Sequence, residues 1–208
     1  MSRYDSLCSV AGPVSRETFD RLRAFETVFL KWAARMNLAA PSTLADLWSR
    51  HILDSAQLLP LAPGARSWAD IGSGGGFPGA VMAILLDEQP DSSIILIESN
   101  GKKAAFLRSA LAELAPRARI AAERAEAVMS AQPAPEIVTA RAVASLHDLL
   151  ALTEPWLAAG TRTLFHKGRD YRAEVKTAGD TWNLDLIEHQ SAVDLQSVIL
   201  EIGRIRRV

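Results

Sequence analysis

The sequence lacks the features that mark several large classes of protein. It has one cysteine, Cys8, which excludes an internal disulfide framework and favours a reducing compartment. The first ten residues lack the apolar core of a signal peptide, and the longest apolar run, AVMAILL at 80–86, is far too short to cross a bilayer. The four histidines are scattered without the spacing of metal ligands. We therefore expect a cytoplasmic protein with no membrane segment and no metal.

An excess of charge is also missing. Lysine and arginine number 23 against 24 aspartates and glutamates, which gives a formal net charge of −1. No overall field draws the chain toward nucleic acid or membranes, so any nucleic-acid surface must be a local patch. What is present is 208 residues that are 49% hydrophobic, enough for one sizeable core.

Hydrophobic periodicity predicts helices in the first part of the chain. Apolar residues between Phe19 and Met36 recur on one arc of a helix. A second helix is predicted to begin near residue 42, with a capping box of Thr43 and Asp46, and to continue through WSRHILDSAQLL. We predict an N-terminal helical extension over residues 1–63 whose first residues are frayed.

From residue 64 the pattern changes to strands that alternate with helices. Strands are predicted at 66–71, 93–98, 119–123, 136–141, 161–166, 182–189 and 197–205, and helices at 78–86, 102–115, 145–158 and 173–179. Alternation of this kind predicts an α/β fold: a mostly parallel seven-stranded sheet with helices on both faces, the last two strands being antiparallel. Residues 64–208 would form this domain, in one compact unit with the extension. Its ligand would bind at the carboxyl edge of the sheet.

The stretch DIGSGGGFPG at 70–79 is the strongest local motif, and it is typical of a loop that holds a ligand against the backbone. A nucleoside triphosphate is excluded because a P-loop lysine and its Ser or Thr are missing. Gly74, Gly76 and Gly79 do spell G-x-G-x-x-G, so a dinucleotide-dependent oxidoreductase stays as an alternative. Against it, Pro78 removes an N–H that a pyrophosphate would need, and the Asp70 carboxylate would repel phosphates.

S-adenosylmethionine suits the same stretch better. Asp70, placed before the glycines, would favour the ammonium and sulfonium groups of that cofactor. Gly72 and Gly74 would let the backbone approach it without Cβ clashes. Glu98 ends the second strand, and its two carboxylate oxygens would accept hydrogen bonds from the ribose hydroxyls.

Several separated motifs together resemble the RsmG (GidB) family of bacterial methyltransferases, which modify small-subunit ribosomal RNA. The motifs are MNL (36–38), RHILDS (50–55), DIGSGGGFPG (70–79), IESNGKKAAFL (97–107), ERAE (123–126) and ARAVASL (140–146). The resemblance implies a Rossmann-like class I S-adenosylmethionine-dependent methyltransferase fold. It also implies methyl transfer to N7 of a guanosine in 16S rRNA, in a loop near the decoding centre.

The resemblance also assigns residues. It implies cofactor contacts at Gly72, Phe77, Ala125, Glu126 and Arg141. Glu98 stands where an aspartate is common in the family. The partner would be 16S rRNA or the 30S ribosomal particle, bound by a monomer.

The chemistry of guanine N7 needs no general base, because this nitrogen is already an unprotonated acceptor. Arg141 is therefore predicted to position the reactants, and its replacement by alanine to abolish transfer while the fold survives. Candidate RNA contacts are Arg50, His51, Lys102, Lys103, Lys167 and Arg169. Arg50 and Asp54, spaced i,i+4, could instead simply pair with each other. A small-molecule or protein methyltransferase and a non-catalytic cofactor sensor stay as further alternatives.

Overall fold

A single seven-stranded sheet organises the molecule, which a computed structural model describes over residues 1–208. The strands are β1 (Ser67–Ile71), β2 (Ser93–Ile97), β3 (Arg119–Ala121), β4 (Ile137–Arg141), β5 (Arg162–Lys167), β6 (Trp182–Gln190) and β7 (Val198–Arg207). Their order is β3-β2-β1-β4-β5-β7-β6. The pairs β5–β7 and β6–β7 are antiparallel and the other four pairs are parallel, so the predicted, mostly parallel sheet with an antiparallel final pair is confirmed.

Helices cover both faces of the sheet. They are α1 (Arg3–Ala11), α2 (Arg16–Ala33), α3 (Asp54–Ala56), α4 (Gly79–Leu86), α5 (Gly101–Leu111), α6 (Ala125–Ala131), α7 (Leu146–Ala158) and α8 (Tyr171–Gly179). Every helix predicted after residue 64 is present within a few residues of its predicted bounds. The prediction missed α6, a seven-residue helix with one buried side chain and therefore almost no apolar periodicity.

The N-terminal region differs from the prediction in two places. The first residues are not frayed, because Ser2 and Asp5 form a reciprocal capping box that starts α1. The second predicted helix is instead a 3₁₀-helix over Pro41–Asp46 followed by a π-helix over Trp48–Leu53 that continues into α3. The predicted capping box at Thr43 does not form, because Pro41 starts the helical segment earlier and the Thr43 hydroxyl donates to the Ala40 carbonyl.

The buried apolar side chains form two clusters. The larger contains 34 residues from Leu7 to Ile199 and includes side chains of α1, α2, α4 and α5. The smaller contains 18 residues, among them those of α7 and α8. Every residue of α4 is buried, which accounts for the unbroken apolar run at 80–86. The N-terminal helices thus pack into the same core as the sheet, while the division at residue 63 stays a prediction.

The parallel strands bring the residues of the candidate site to one edge of the sheet. In the sheet register Ile71 lies beside Ile97 and Ala140, and Arg141 lies beside His166. The loops that follow β1, β2, β4 and β5 therefore meet at one edge, as expected for an open α/β sheet. No helix combines the length and the apolar character needed to cross a membrane.

Candidate active site

Asp70 fixes the glycine loop from beneath. Its side chain is fully buried and accepts hydrogen bonds from the Gly79 amide at 3.1 Å and from the Thr139 hydroxyl at 2.7 Å. A Cβ at position 79 would collide with the Asp70 carboxyl group. Burial raises the pKa of Asp70 to about 6. The predicted contact between Asp70 and a bound cofactor is therefore corrected: the carboxyl group points into the protein and braces the loop.

Gly72 lies where the glycine loop contacts the loop between β4 and α7. Its φ of +66° is one that side chains rarely adopt, and an added Cβ would lie 2.6 Å from Cγ2 of Val143. The close approach of two protein loops therefore requires glycine here.

Glu98 joins the glycine loop to the loop after β2. One carboxylate oxygen accepts the Gly74 amide at 2.8 Å and the other accepts the Asn100 amide at 2.7 Å, and the residue is 8% exposed. A carboxylate oxygen has capacity for a second hydrogen bond, so both oxygens can still accept from a ligand.

Two cavities meet at Glu98. One of about 450 Å³ lies over the glycine loop and is bounded by Gly72, Gly74, Phe77, Lys103 and Arg141. The other, of about 340 Å³, extends to Ala125 and Glu126 at the start of α6. Gly72, Glu98, Ser99 and Val143 border both, so the two cavities adjoin, and we call them together the cofactor cavity.

Arg141 closes one end of the cofactor cavity and is held by the N-terminal region. Its Nη1 donates to the Asp54 carboxylate at 2.9 Å and to the Arg50 carbonyl at 3.3 Å, and its Nη2 donates to Nδ1 of His51. Burial lowers the pKa of the guanidinium, and Asp54 opposes this shift. The Arg50–Asp54 pair considered from the i,i+4 spacing does not form, because Asp54 binds Arg141.

His51 completes this wall as a neutral ring. Burial, together with the neighbouring Arg141, lowers its pKa to about 4. Its Nδ1 accepts from Arg141, so Nε2 bears the proton and donates to the Thr43 hydroxyl at 2.9 Å. The ring also packs on Phe77, with centroids 4.8 Å apart. Both nitrogens are therefore in use.

A third cavity of about 730 Å³ lies on the other side of Arg141. Only three of its 17 lining residues are hydrophobic, and we call it the polar cavity. It shares Thr43, His51, Arg141 and Ala142 with the cofactor cavity. Ala142 has a positive φ of 54°, uncommon for a residue with a side chain and typical of functional turns.

The remaining basic residues that were predicted to contact RNA lie at different places around the cavities. Lys103 borders the cofactor cavity, and exposed Lys102 precedes it on α5. Exposed Arg50 borders the polar cavity. Lys167 is not the phosphate contact that the sequence predicted, because its buried ammonium donates to Glu174 at 2.7 Å and to the Ala144 carbonyl at 2.9 Å.

The polar cavity also contains residues that sequence reasoning did not select. Its outer wall is the turn between β6 and β7, represented by Asp194, Gln196 and Ser197. Arg169 donates to the Gln196 side chain at 3.0 Å and so lies beside this wall, although it does not line the cavity. No local motif marks the turn, since it enters the site only because β7 pairs with β5.

No group of three or more histidine, cysteine, aspartate or glutamate side chains is arranged to hold a metal. The donor set instead fits S-adenosylmethionine. Glu98 retains acceptors where the two parts of the cofactor cavity adjoin, and the glycine loop keeps that cavity open. Together with the sheet order, these features define a class I S-adenosylmethionine-dependent methyltransferase.

Solved structures share the fold. A ribosomal protein L11 methylase from Lactobacillus delbrueckii subsp. bulgaricus superposes with a TM-score of 0.57 at 14% identity, covering 74% of this chain and 78% of that one. A TehB-like SAM-dependent methyltransferase from Corynebacterium glutamicum gives a TM-score of 0.53 at 12% identity, covering 85% and 97%.

The sequence comparisons identify a narrower group of proteins than the shared fold does. The model of the GidB family, described as rRNA small subunit methyltransferase G, matches residues 18–202. Proteins named ribosomal RNA small subunit methyltransferase G from Chelativorans sp. and Brucella anthropi are each 56% identical over 206 residues; both alignments span 99% of this chain, with 98% and 97% of the relatives covered. The chain belongs to the GidB family. It is a methyltransferase that uses S-adenosylmethionine, which argues against the oxidoreductase alternative.

Proposed function

We propose that this chain transfers the methyl group of S-adenosylmethionine to N7 of a guanosine in 16S rRNA, in the loop near the decoding centre. The family and the names of the relatives support the RNA substrate. The observation that supports the reaction best is the wall of Thr43, His51, Arg141 and Ala142, which borders both the cofactor cavity and the polar cavity where the two adjoin. A donor and an acceptor molecule bound on either side would meet there.

Residues of the cofactor cavity have distinct proposed roles. Glu98 accepts the ribose hydroxyls with the acceptor capacity that Gly74 and Asn100 leave free. Gly72 and Gly74 present backbone to the methionine part, while Ala125 and Glu126 border the far end of the cavity. The bound cofactor supplies an electrophilic methyl group.

The wall contains no free general base, and the proposed reaction needs none. Both His51 nitrogens are occupied, and the Asp54 carboxylate is paired with Arg141. Guanine N7 has a lone pair and no proton to remove. We infer that Arg141 and His51 orient the acceptor, and positioning of this kind supplies about 7–11 kcal/mol of barrier reduction in favourable cases.

A methyl-transfer assay on RNA isolated from a strain that lacks this gene tests the proposal. Purified protein, tritiated S-adenosylmethionine and either naked 16S rRNA or 30S particles should place label on one guanosine, which chain cleavage at 7-methylguanosine would locate. Label on protein, or on no macromolecule, would overturn it. Titration with S-adenosylhomocysteine and with NADH should show binding of the first alone.

We infer that the protein works as a monomer in the cytoplasm, where ribosomal RNA is processed. Sedimentation at micromolar concentration should give the mass of one chain, 22.6 kDa.

A further inference from the structure

The polar cavity has the composition of a site for a hydrogen-bonding ligand. Of its 17 lining residues, the three hydrophobic ones are small or β-branched: Ala142, Ala144 and Val193. Its volume of about 730 Å³ lies within the usual range of small-molecule pockets. No phenylalanine, tyrosine, tryptophan or long aliphatic side chain lines the cavity, so it does not favour an apolar ligand.

Unused polar groups border this cavity. The Asp46 carboxylate makes no hydrogen bond within the chain, and the exposed Arg50 guanidinium makes none either. Guanine presents N1–H and N2–H₂ donors on one edge, and a carboxylate offers two acceptor oxygens to such an edge. A free guanidinium at the rim suits a phosphate of the adjoining RNA backbone.

We propose that the polar cavity holds the extruded guanosine, with N7 directed at the wall it shares with the cofactor cavity; this rests on the proposed function. Asp46 accepts from the N1–H and N2–H₂ edge, and Arg50 binds the flanking phosphate. The turn over residues 191–197 forms the outer side of the site, which gives the C-terminal hairpin a role in binding RNA.

The hairpin is fixed in place for this role by Gln57. Buried Gln57 donates to the Asp54 carboxylate at 2.8 Å and to the Ser191 hydroxyl at 3.2 Å, and it accepts from the Ala192 amide at 2.8 Å. One side chain therefore joins the outer wall of the polar cavity to the residue that holds Arg141.

Filling the cavity tests the inference. Gly168 borders it, and a Cβ added there meets nothing within 4 Å. Gly168→Leu should raise the KM for RNA at least tenfold, or abolish transfer, while the Kd for S-adenosylhomocysteine stays within twofold of wild type. Gly179→Leu is the matched control, because position 179 is equally open and borders none of the three cavities.

Two further variants keep the result decisive. Gln196→Trp fills the cavity from the turn between β6 and β7 and settles the question if Gly168→Leu does not fold. Asp46→Asn should raise the KM for RNA about tenfold with little change in S-adenosylhomocysteine binding, as expected for loss of a charge-assisted hydrogen bond. Wild-type RNA kinetics in the folded filling variants would overturn the cavity assignment alone. Absence of RNA methylation by the wild-type protein would instead overturn the proposed function.

Discussion

At the scale of single residues, Arg141 combines a structural and a functional role. Arg141→Ala leaves the Asp54 carboxylate, 12% exposed, without its cation, so we expect the free energy of unfolding to fall by about 3 kcal/mol. Transfer should fall at least about a hundredfold, because the wall no longer orients the acceptor. Urea unfolding and the methyl-transfer assay measure the two effects. The fold is therefore expected to survive with reduced stability.

The double variant Arg141→Ala/Asp54→Asn separates the two roles. Removing the unpaired charge should recover part of the lost stability, because a neutral amide costs less to bury than a carboxylate. Transfer should stay low. Recovery of transfer along with stability would show that Arg141 acts only by supporting the fold.

Asp70 makes the stability depend on pH in a definite direction. The carboxyl group has a pKa near 3.8 when unfolded and about 6 when buried in the native protein. Its neutral form therefore stabilises the fold fully below pH 4, and this contribution of about 3 kcal/mol is lost as pH rises through 6. The free energy of unfolding should be measured for wild type and for Asp70→Asn from pH 3.5 to 7.5. The wild-type value minus the variant value should fall by about 3 kcal/mol across this range.

The difference between the two curves isolates Asp70. His51 and His166, whose pKa values burial lowers, act in the opposite direction in both proteins and cancel in the subtraction. Asp91→Asn, at a carboxylate that is 77% exposed, is the control and should leave the curve parallel to wild type. Parallel curves for Asp70→Asn would show that Asp70 does not titrate in this range.

At the scale of elements, the glycine loop depends on its contact with the loop between β4 and α7. Gly72→Ala combines a left-handed backbone with a clash against Val143, and we expect a loss of about 3 kcal/mol and weaker S-adenosylhomocysteine binding. Gly72→Ala/Val143→Ala removes the clashing γ-carbons and should recover the part due to overpacking. Calorimetry measures the change in stability, and ligand titration measures the change in affinity for S-adenosylhomocysteine. Gly101→Ala, at an open helical position, should cause no loss.

At the scale of the whole molecule, the N-terminal helices and the sheet share one core and should unfold together. Trp48 belongs to the N-terminal π-helix and Trp156 to α7, and both are buried. In variants that keep only Trp48 or only Trp156 of the five tryptophans, the urea midpoint by fluorescence should match the midpoint of the same variant by far-UV circular dichroism. Two separate midpoints would show that residues 1–63 form an independent unit. The fragment 64–208 alone should fail to fold, because it would expose the apolar surface of α4.

The sheet and the glycine loop were predictable because their signals are local. Each strand shows its own apolar run, and the loop's glycines, Asp70 and Pro78 lie within ten positions. The N-terminal segment was harder, because the apolar positions of 42–59 predicted one regular helix. The structure instead has a 3₁₀-helix over Pro41–Asp46 and a π-helix over Trp48–Leu53, with Trp48 and Ile52 buried. Helical periodicity does not distinguish an α-helix from a π-helix over six residues.

The sequence by itself determined the sheet, the glycine loop, Glu98 at the end of β2 and the family to which the chain belongs, because these depend on neighbouring residues and on motif order. Only the tertiary structure decided that Asp70 is buried beneath the loop, that Lys167 pairs with Glu174, and that Asp54 holds Arg141. These contacts join residues from separate elements, some as distant as 87 positions. The free energy that selects such partners comes from burial, which no local pattern contains.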